Sequence, residues 1–261
     1  CFLFIAISLG WMFNRYVLGE RTPFVAERAG IIVAVTSTIG NMAYIGAVVT
    51  APAANVVFLI ALTPVIAAGL SRLVLGESVH PFTWAATLLA LAGAGIIASQ
   101  GISSGHWQGD GLAIVSAFCS ATILTIIRGT GRKVATSLAM GSLASAVVAF
   151  LAFDIAPESL LDTGAFGLPA LFWLGLNGLV TMPLATVLLA RGPRMLPSAD
   201  VGMFFMLETV LTPVWVWLLF GEAPTPRVLA GGTLLIVTLL AHAGWRFAMS
   251  LRPPGRAVFD P

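Results

Sequence analysis

Long stretches of this chain contain no Asp, Glu, Lys or Arg. They include residues 29–71, 134–153, 163–190 and 228–245. Only 9% of the 261 residues are charged and 58% are hydrophobic, whereas a soluble globular domain has about 25% charged residues. So few charged side chains cannot cover the surface of a soluble protein of this size. The sequence therefore indicates that lipid is the solvent for most of the chain.

The uncharged stretches are long enough to cross a bilayer as helices. A spanning helix needs roughly 20 apolar residues, and its backbone groups must find their hydrogen bonds within the segment. The alternating polar and apolar pattern of a membrane β-barrel is missing. We therefore expect an all-α membrane protein, a polytopic helical bundle. The predicted spans are nine, at about 1–18, 29–48, 52–75, 82–100, 110–128, 136–153, 168–190, 197–220 and 228–247.

Basic residues in the short loops predict the orientation of these spans. With nine alternating spans, only Arg227 of the 13 Lys and Arg residues lies on one side, and all the others lie on the opposite side. The side that is rich in Lys and Arg is the cytoplasmic one. The C-terminal tail at 251–261 is therefore predicted to lie in the cytoplasm, and the predicted location of the protein is the inner membrane. The first span then runs inward, from which we expect one further span before Cys1 and ten in total.

Two segments of the chain repeat each other. PAANVVFLIALTPVIAAGLSRLVLGESVHP (52–81) aligns without gaps on PSADVGMFFMLETVLTPVWVWLLFGEAPTP (197–226), at a constant offset of 145 positions. The chain is thus predicted to contain two copies of a unit of about five spans. The first covers 1–100 and lacks its first helix, and the second covers 109–250. Because the unit has an odd number of spans, its copies insert in opposite orientations, as in many secondary transporters.

Two features of the sequence resemble a known family. They are the repeated Pro-containing helix that ends in Gly-Glu, and GDGLAIVSAFCSATILTIIRGTGRK at 109–133. Both resemble the EamA-type members of the drug/metabolite transporter superfamily, and the resemblance covers essentially all of 1–250. It implies a ten-helix carrier with a central cavity between two inverted five-helix repeats. The family commonly has Glu-Pro where this chain has Glu208-Thr209, so the local kink is expected to differ.

Glu208 is the first candidate for a functional residue. It lies about 16 Å along its predicted span at 1.5 Å per residue, which is near the bilayer midplane. A carboxylate at that depth costs several kcal/mol unless it is paired, hydrated or protonated, and such residues usually face a cavity. Glu208 is therefore predicted to bind a proton or a cationic substrate group, with a structural hydrogen bond as the alternative. Its repeat partner is Thr63, so the two halves are chemically unequal.

Other polar groups in the apolar spans are candidates for substrate contact. They are Asn41, Tyr44, Asn177 and Thr181. Hydrogen bonds between helices are the alternative role for the two asparagines, and the threonine can bond to its own backbone. Asp200 is interpreted as a favourable charge at a helix N-terminus. His242 is interpreted as a packed ring, with proton relay as the alternative.

Glu77 and Glu222 end the two repeated helices, at opposite membrane surfaces. They are interpreted as solvated helix ends, or as gating residues, with a basic neighbour such as Arg72 as the partner of Glu77. Pro64 and Pro213 lie inside spans, where each removes a backbone hydrogen bond and kinks its helix. In carriers such breaks often mark the site or the gate, although kinks without function are equally compatible with the sequence.

The function predicted from the sequence is secondary transport, not catalysis. We expect an exporter of a small metabolite or drug-like solute that works by alternating access in the lipid bilayer, with proton coupling and a homodimer as further expectations. No cofactor, metal site or nucleic acid partner is expected. The loose dinucleotide pattern GAGIIA at 93–98 lies inside a span and favours close helix packing. A channel, a scaffold and a membrane enzyme are the alternatives.

Overall fold

Regular structure in the described part of the chain is helical throughout. The structure is a computed structural model, and it describes residues 2–16, 27–77, 79–99, 105–131, 134–152, 172–173, 175–221 and 223–250. In chain order its helices are α1 Phe2–Tyr16, α2 Glu27–Thr50, α3 Ala53–Ile60, α4 Thr63–Leu75, α5 Pro81–Ala98, α6 Trp107–Thr130, α7 Ala135–Ala152, a π-helical segment Asn177–Thr181, α8 Met182–Met195, α9 Ser198–Phe220 and α10 Pro226–Ser250.

Many of the buried residues in this bundle are small, and many large apolar side chains are exposed on its outside. Ala90 and Ala117 are fully buried, whereas Leu73 is 83% exposed and Leu219 is 73% exposed. Helices in lipid associate through small residues that let their backbones approach, since lipid tails solvate large apolar side chains. Five helical stretches are also long and apolar enough to cross a membrane: Arg28–Thr50, Ala53–Leu75, Pro81–Ala98, Trp107–Thr130 and Pro226–Met249. The pattern is that of a polytopic helical membrane protein.

The predicted span at 52–75 consists of two helices, α3 and α4, with a break between them. Pro64 has no N–H to donate to the carbonyl of Ile60, and the Thr63 hydroxyl donates to that carbonyl instead, at 2.7 Å. The helix is therefore interrupted next to Pro64, the position at which the sequence predicts a kink. In the second copy Thr209 stands at the equivalent position and retains its N–H, and α9 is continuous from Ser198 to Phe220, through Pro213.

The Gly-Glu motif of each repeat has a local structural reason. Gly76 and Gly221 cap the C-termini of α4 and α9 in the left-handed conformation, with φ of 66° and 73°. Glycine adopts this conformation without the steric cost of a Cβ. Pro81 and Pro226 then begin α5 and α10, where the missing N–H of proline costs nothing. Each motif therefore ends one helix and starts the next.

The connection predicted between the spans at 168–190 and 197–220 is shorter in the structure. Helix α8 continues through Gly192 and Pro193 and ends at Met195. Pro193 lies in the last turn of this helix. It removes only the hydrogen bond that its own N–H would donate to the preceding turn, and the helix ends two residues later. The predicted tail at 251–261 and the predicted loop at 157–167 lie outside the described residues.

Most of the helix packing joins the first part of the chain to the second. Helix α2 packs on α6 and α7, α4 packs on α6 and α9, and α5 packs on α10. The α5–α10 contact is the closest backbone approach, because a Cβ on Gly231 would lie 2.6 Å from the carbonyl oxygen of Gly93. The interpretation of residues 93–98 as a packing motif is therefore confirmed. A buried cluster of Ala61, Ala90, Met203 and Leu235 continues this interface toward the centre.

Candidate functional site

A cavity of about 630 Å³ lies between the two parts of the chain. Its described walls come from α2, α3, α4 and α5 of the first part and from α6 and α9 of the second. The break between α3 and α4 forms part of the wall, since Ile60, Ala61 and Pro64 all line the cavity. On the facing side, a Cβ on Gly202 would lie 3.0 Å from the Cα of Pro64, so α9 approaches the break closely.

The cavity reaches one end of the bundle. Ala53, the first residue of α3, and Ala98, the last residue of α5, both line it. We call this end, where α6 begins, the Ala98 end, and we call the opposite end, where α6 finishes, the Arg128 end. Toward the Arg128 end the lining of α6 stops at Ile123, and Ile127 one turn further is fully buried. Packed side chains therefore close the bundle on that side.

The cavity wall is mainly apolar, with hydroxyl groups and one carboxylate. Glu208 is the only charged side chain among the described lining residues, and it is exposed. Hydroxyl groups of Ser37, Thr63, Ser116 and Ser120 line the same space. Alanine, valine, isoleucine and methionine side chains form much of the rest. Such a wall offers hydrogen bonds in several directions and negative charge in one place.

Four of the residues proposed from the sequence meet at this cavity, namely Asn41, Tyr44, Pro64 and Glu208. Asn41 also donates to the Ser145 hydroxyl of α7, at 3.3 Å. The two roles considered for this asparagine, cavity lining and a bond between helices, therefore coexist.

The other proposed residues lie elsewhere. Asn177 and Thr181 are the first and last residues of the π-helical segment, are exposed, and are not among the described lining residues. The segment differs from the α-helix that follows it in its π-helical geometry. Short π-helical segments are frequent at functional sites. Pro213 lies within α9, and Glu222 lies outside the described residues.

Glu77 forms an ion pair that the sequence did not predict. Its Oε1 lies 2.9 Å from Nε of Arg128 at the end of α6, and the two side chains are 30% and 29% exposed. The suggested partner, Arg72, is therefore replaced by a residue more distant in sequence, because packing brings the ends of α4 and α6 together. Glu77 is therefore partly exposed and paired with a basic residue, as in the alternative role considered for it, and the pair links the two parts of the chain.

The sequence also did not predict that a second set of charged residues at the Arg128 end would be in contact with one another. Oδ2 of Asp200 lies 3.0 Å from Nη2 of Arg246, and Oδ1 lies 3.6 Å from Nε2 of His242. The same ring nitrogen lies 3.2 Å from the hydroxyl of Thr83. The sequence showed only that these residues share one predicted membrane surface. No group of three His, Cys, Asp or Glu that could hold a metal occurs within the described residues.

Apolar helices around an internal cavity define a polytopic membrane protein with a central site. A model of the EamA-like transporter family matches residues 1–99 and 107–242. The chain therefore belongs to the EamA-like transporter family, within the drug/metabolite transporter superfamily, and the resemblance seen in the sequence is confirmed.

Comparison with solved structures shows the same fold. A crystal structure described only as "Crystal structure of protein" superposes with a TM-score of 0.74 and 18% sequence identity, over 97% of this chain and 85% of the other. At this identity the likeness concerns the fold alone. Comparison with curated protein sequences finds no significant match.

Proposed function

We propose that the protein is a secondary transporter that moves a small solute through its central cavity by alternating access, in the direction of export. The observation that carries the proposal is the cavity itself, which has walls from both sequence repeats and a carboxylate in its lining. Two related halves can rock about such a site and expose it to each side in turn.

The helix bounds support the inverted repeats that this mechanism needs. Helix α9 begins and ends 145 positions after the start of α3 and the end of α4, and α10 begins 145 positions after α5. Helices α5 and α10 run in opposite directions, because Thr83 meets His242 while Gly93 meets Gly231. We therefore propose nine spans in this chain, in two halves of opposite orientation, with the C-terminus in the cytoplasm and the inner membrane as the location.

The lining favours a particular class of solute. The volume lies within the range of about 300–1,000 Å³ that is usual for small-molecule sites. Apolar walls accept a hydrocarbon body, the hydroxyl groups accept polar substituents, and the carboxylate of Glu208 attracts a positive charge. We propose a small cationic or amine-bearing solute. A carboxylate that holds a proton no longer attracts a cation, so competition at Glu208 would exchange one for the other.

Transport by the purified protein in proteoliposomes tests this proposal. An imposed pH gradient is expected to drive saturable flux of ethidium or of simple primary amines. Glu208→Gln should lower the flux at least 10-fold, because the variant loses the negative charge but keeps the side-chain shape. Glu222→Gln is the matched control and should transport like the wild type.

Two results would contradict the proposal in different ways. Flux that rises linearly with solute concentration would indicate a channel instead of a carrier. Saturable flux that is equal in the wild type and in Glu208→Gln would leave the carrier in place but remove Glu208 from its site.

A further inference from the structure

The Arg128 end of the bundle carries a buried ionic cluster that the proposed transport site does not use. It consists of Asp200 at the start of α9, His242 and Arg246 near the end of α10, and Thr83 at the start of α5. We refer to these four residues as the Asp200 cluster. Asp200 and His242 are each only 5% exposed. Charged groups are rarely buried in this way without partners or a function.

Aromatic rings pack against the cluster, and its arginine is partly exposed. The ring of Phe82 stacks on that of His242 with an interplanar angle of 7°, and the ring of Trp245 lies 5.9 Å from His242. The side chain of Arg246 is 41% exposed, so its head group reaches the surface while it pairs with the buried carboxylate. Protons from the aqueous phase at this end therefore have a short route to the cluster.

Other ionisable groups at the same end complete the electrostatic environment. Arg128 and Glu77, which pair with each other, lie close enough to act on the charge of Asp200. His80 precedes α5, is exposed, and packs its ring 4.7 Å from that of Trp245. With His242 neutral, the carboxylates of Asp200 and Glu77 balance the guanidinium groups of their partners, Arg246 and Arg128. One added proton gives the cluster a net positive charge.

The cluster also joins the two halves. The bond between Thr83 and His242 connects α5 to α10, just as the pair of Glu77 and Arg128 connects the end of α4 to α6. Both contacts must separate if the bundle is to open at the Arg128 end. When the hydrogen of the neutral ring is on Nδ1, Nε2 of His242 accepts a hydrogen bond from the Thr83 hydroxyl. A proton on Nε2 turns this atom into a donor, which lies 3.2 Å from the Thr83 oxygen and 3.6 Å from the Asp200 carboxylate. The Thr83 hydroxyl can then no longer donate to the ring, and the buried cluster carries one more positive charge.

Among the described residues, the positions related to the cluster by the repeat form no equivalent of it at the opposite end. At the constant offset of 145 positions, the counterparts of Asp200, His242 and Thr83 are Asn55, Ile97 and Val228. None of the three can be charged. Asn55 bonds instead to the Asp110 carboxylate of α6, at 2.9 Å. The ionisable cluster is therefore specific to one end, although the helices that carry it follow the repeat.

We propose that the Asp200 cluster is a proton-binding site, separate from the central cavity, whose protonation releases the Arg128 end and lets the cavity open on that side. The inference rests on the proposed transport cycle. A proton from the adjacent aqueous phase binds at Nε2 of His242, the Thr83 hydroxyl stops donating to the ring, and the net positive charge is relieved when water enters. When the end closes, the proton returns to the same phase. Because the open state binds the proton better, a lower pH shifts the population toward it.

Labelling of Cys119, which lines the cavity, tests the proposal in the full chain with Cys1 replaced by Ser. A membrane-impermeant maleimide is added to inside-out vesicles, in which the proposed topology exposes the Arg128 end. The labelling rate is compared with that of His242→Gln at each pH, since the ratio cancels the intrinsic pH dependence of the thiol. The expected ratio of wild type to variant is about 1 at pH 8 and at least 5 at pH 6.

Two further variants sharpen the result. His80→Gln replaces the neighbouring exposed histidine and should keep the wild-type pH dependence. Asp200→Asn leaves Arg246 without its carboxylate and should give fast labelling at both pH values. The proposal is overturned if the ratio for His242→Gln stays constant between pH 8 and pH 6, or if His80→Gln removes the pH dependence instead.

The same reagent distinguishes a failure of this site from a failure of the transport proposal. In right-side-out vesicles the maleimide reaches the Ala98 end, where the cavity already extends. Labelling there together with pH-independent labelling from the other side rejects the proton site only. If Cys119 is not labelled from either side, the cavity itself is not accessible, and both proposals fail.

Discussion

Single residues at the Arg128 end determine how firmly the two halves are held together. The pair of Glu77 and Arg128 is less than one-third exposed on each side, so solvent screens it in part. Exposed ion pairs contribute roughly 0.2–1 kcal/mol. A value in this range is too small to decide the fold, but it is large enough to shift an equilibrium between two states of a carrier.

A double-mutant cycle on this pair is the corresponding prediction. Glu77→Arg and Arg128→Glu should each lower the thermal stability in detergent, because each places like charges together. The double variant should recover more than half of the loss, and the recovery should shrink at high salt. Additive losses in the double variant would show that the two side chains do not interact.

Sequence reasoning found some of the functional residues and missed others for a physical reason. Glu208 and Asn41 stood out because polar groups are rare within an apolar span, and Pro64 because it removes a backbone bond. Asp200 and His242 were visible too, but their contact depends on how the start of α9 meets the end of α10. No local pattern in the sequence encodes that contact, so each residue was assigned a role of its own.

At the scale of helices, glycine sets the closest approach in the bundle. Gly231 of α10 and Gly93 of α5 place each backbone against the carbonyl group of the other. Gly244, in the same helix, has nothing within 4 Å of its would-be Cβ. Gly231 and Gly244 therefore form a matched pair within α10, one at a contact and one in open space.

Alanine at these two positions should separate packing from helix propensity. Gly231→Ala must push α5 away and should destabilise the protein by about 1–3 kcal/mol, the usual cost of overpacking. Gly244→Ala should stabilise the protein by about 0.5–1 kcal/mol, the difference in helix propensity between glycine and alanine, because it meets no neighbouring atom. Thermal unfolding of both variants in the same detergent measures the difference. Equal effects would mean that α5 and α10 are not in close contact.

Helix boundaries were predictable where proline and glycine residues mark them. Pro81 and Pro226 begin helices as expected, and the capping glycines explain why the motif before each of them recurs. The helical character of Pro193 was not predictable from its type, because a proline in a last turn is tolerated when the helix ends soon afterwards. The existence of a break at Pro64 was predicted, but the role of the Thr63 hydroxyl at the break required the structure.

At the scale of the whole molecule, the proposed opposite orientation of the halves can be tested directly. Val49 and Met195 lie near the ends of repeat-related helices and are 79% and 80% exposed. In a background without Cys1 and Cys119, Val49→Cys should react with an impermeant maleimide only from outside the cell. Met195→Cys should react only from the cytoplasmic side. Reaction of both from the same side would exclude inverted repeats.

The break between α3 and α4 gives the two halves different mechanical properties. In one half, the cavity wall contains the break between α3 and α4. In the other half, the counterpart of these two helices is α9, which is one continuous helix. Under the proposed cycle, bending would concentrate at the break between α3 and α4, while α9 would keep its shape. A solute would then contact a flexible wall on one side of the cavity and a rigid wall on the other. Its entry path and its exit path would therefore differ.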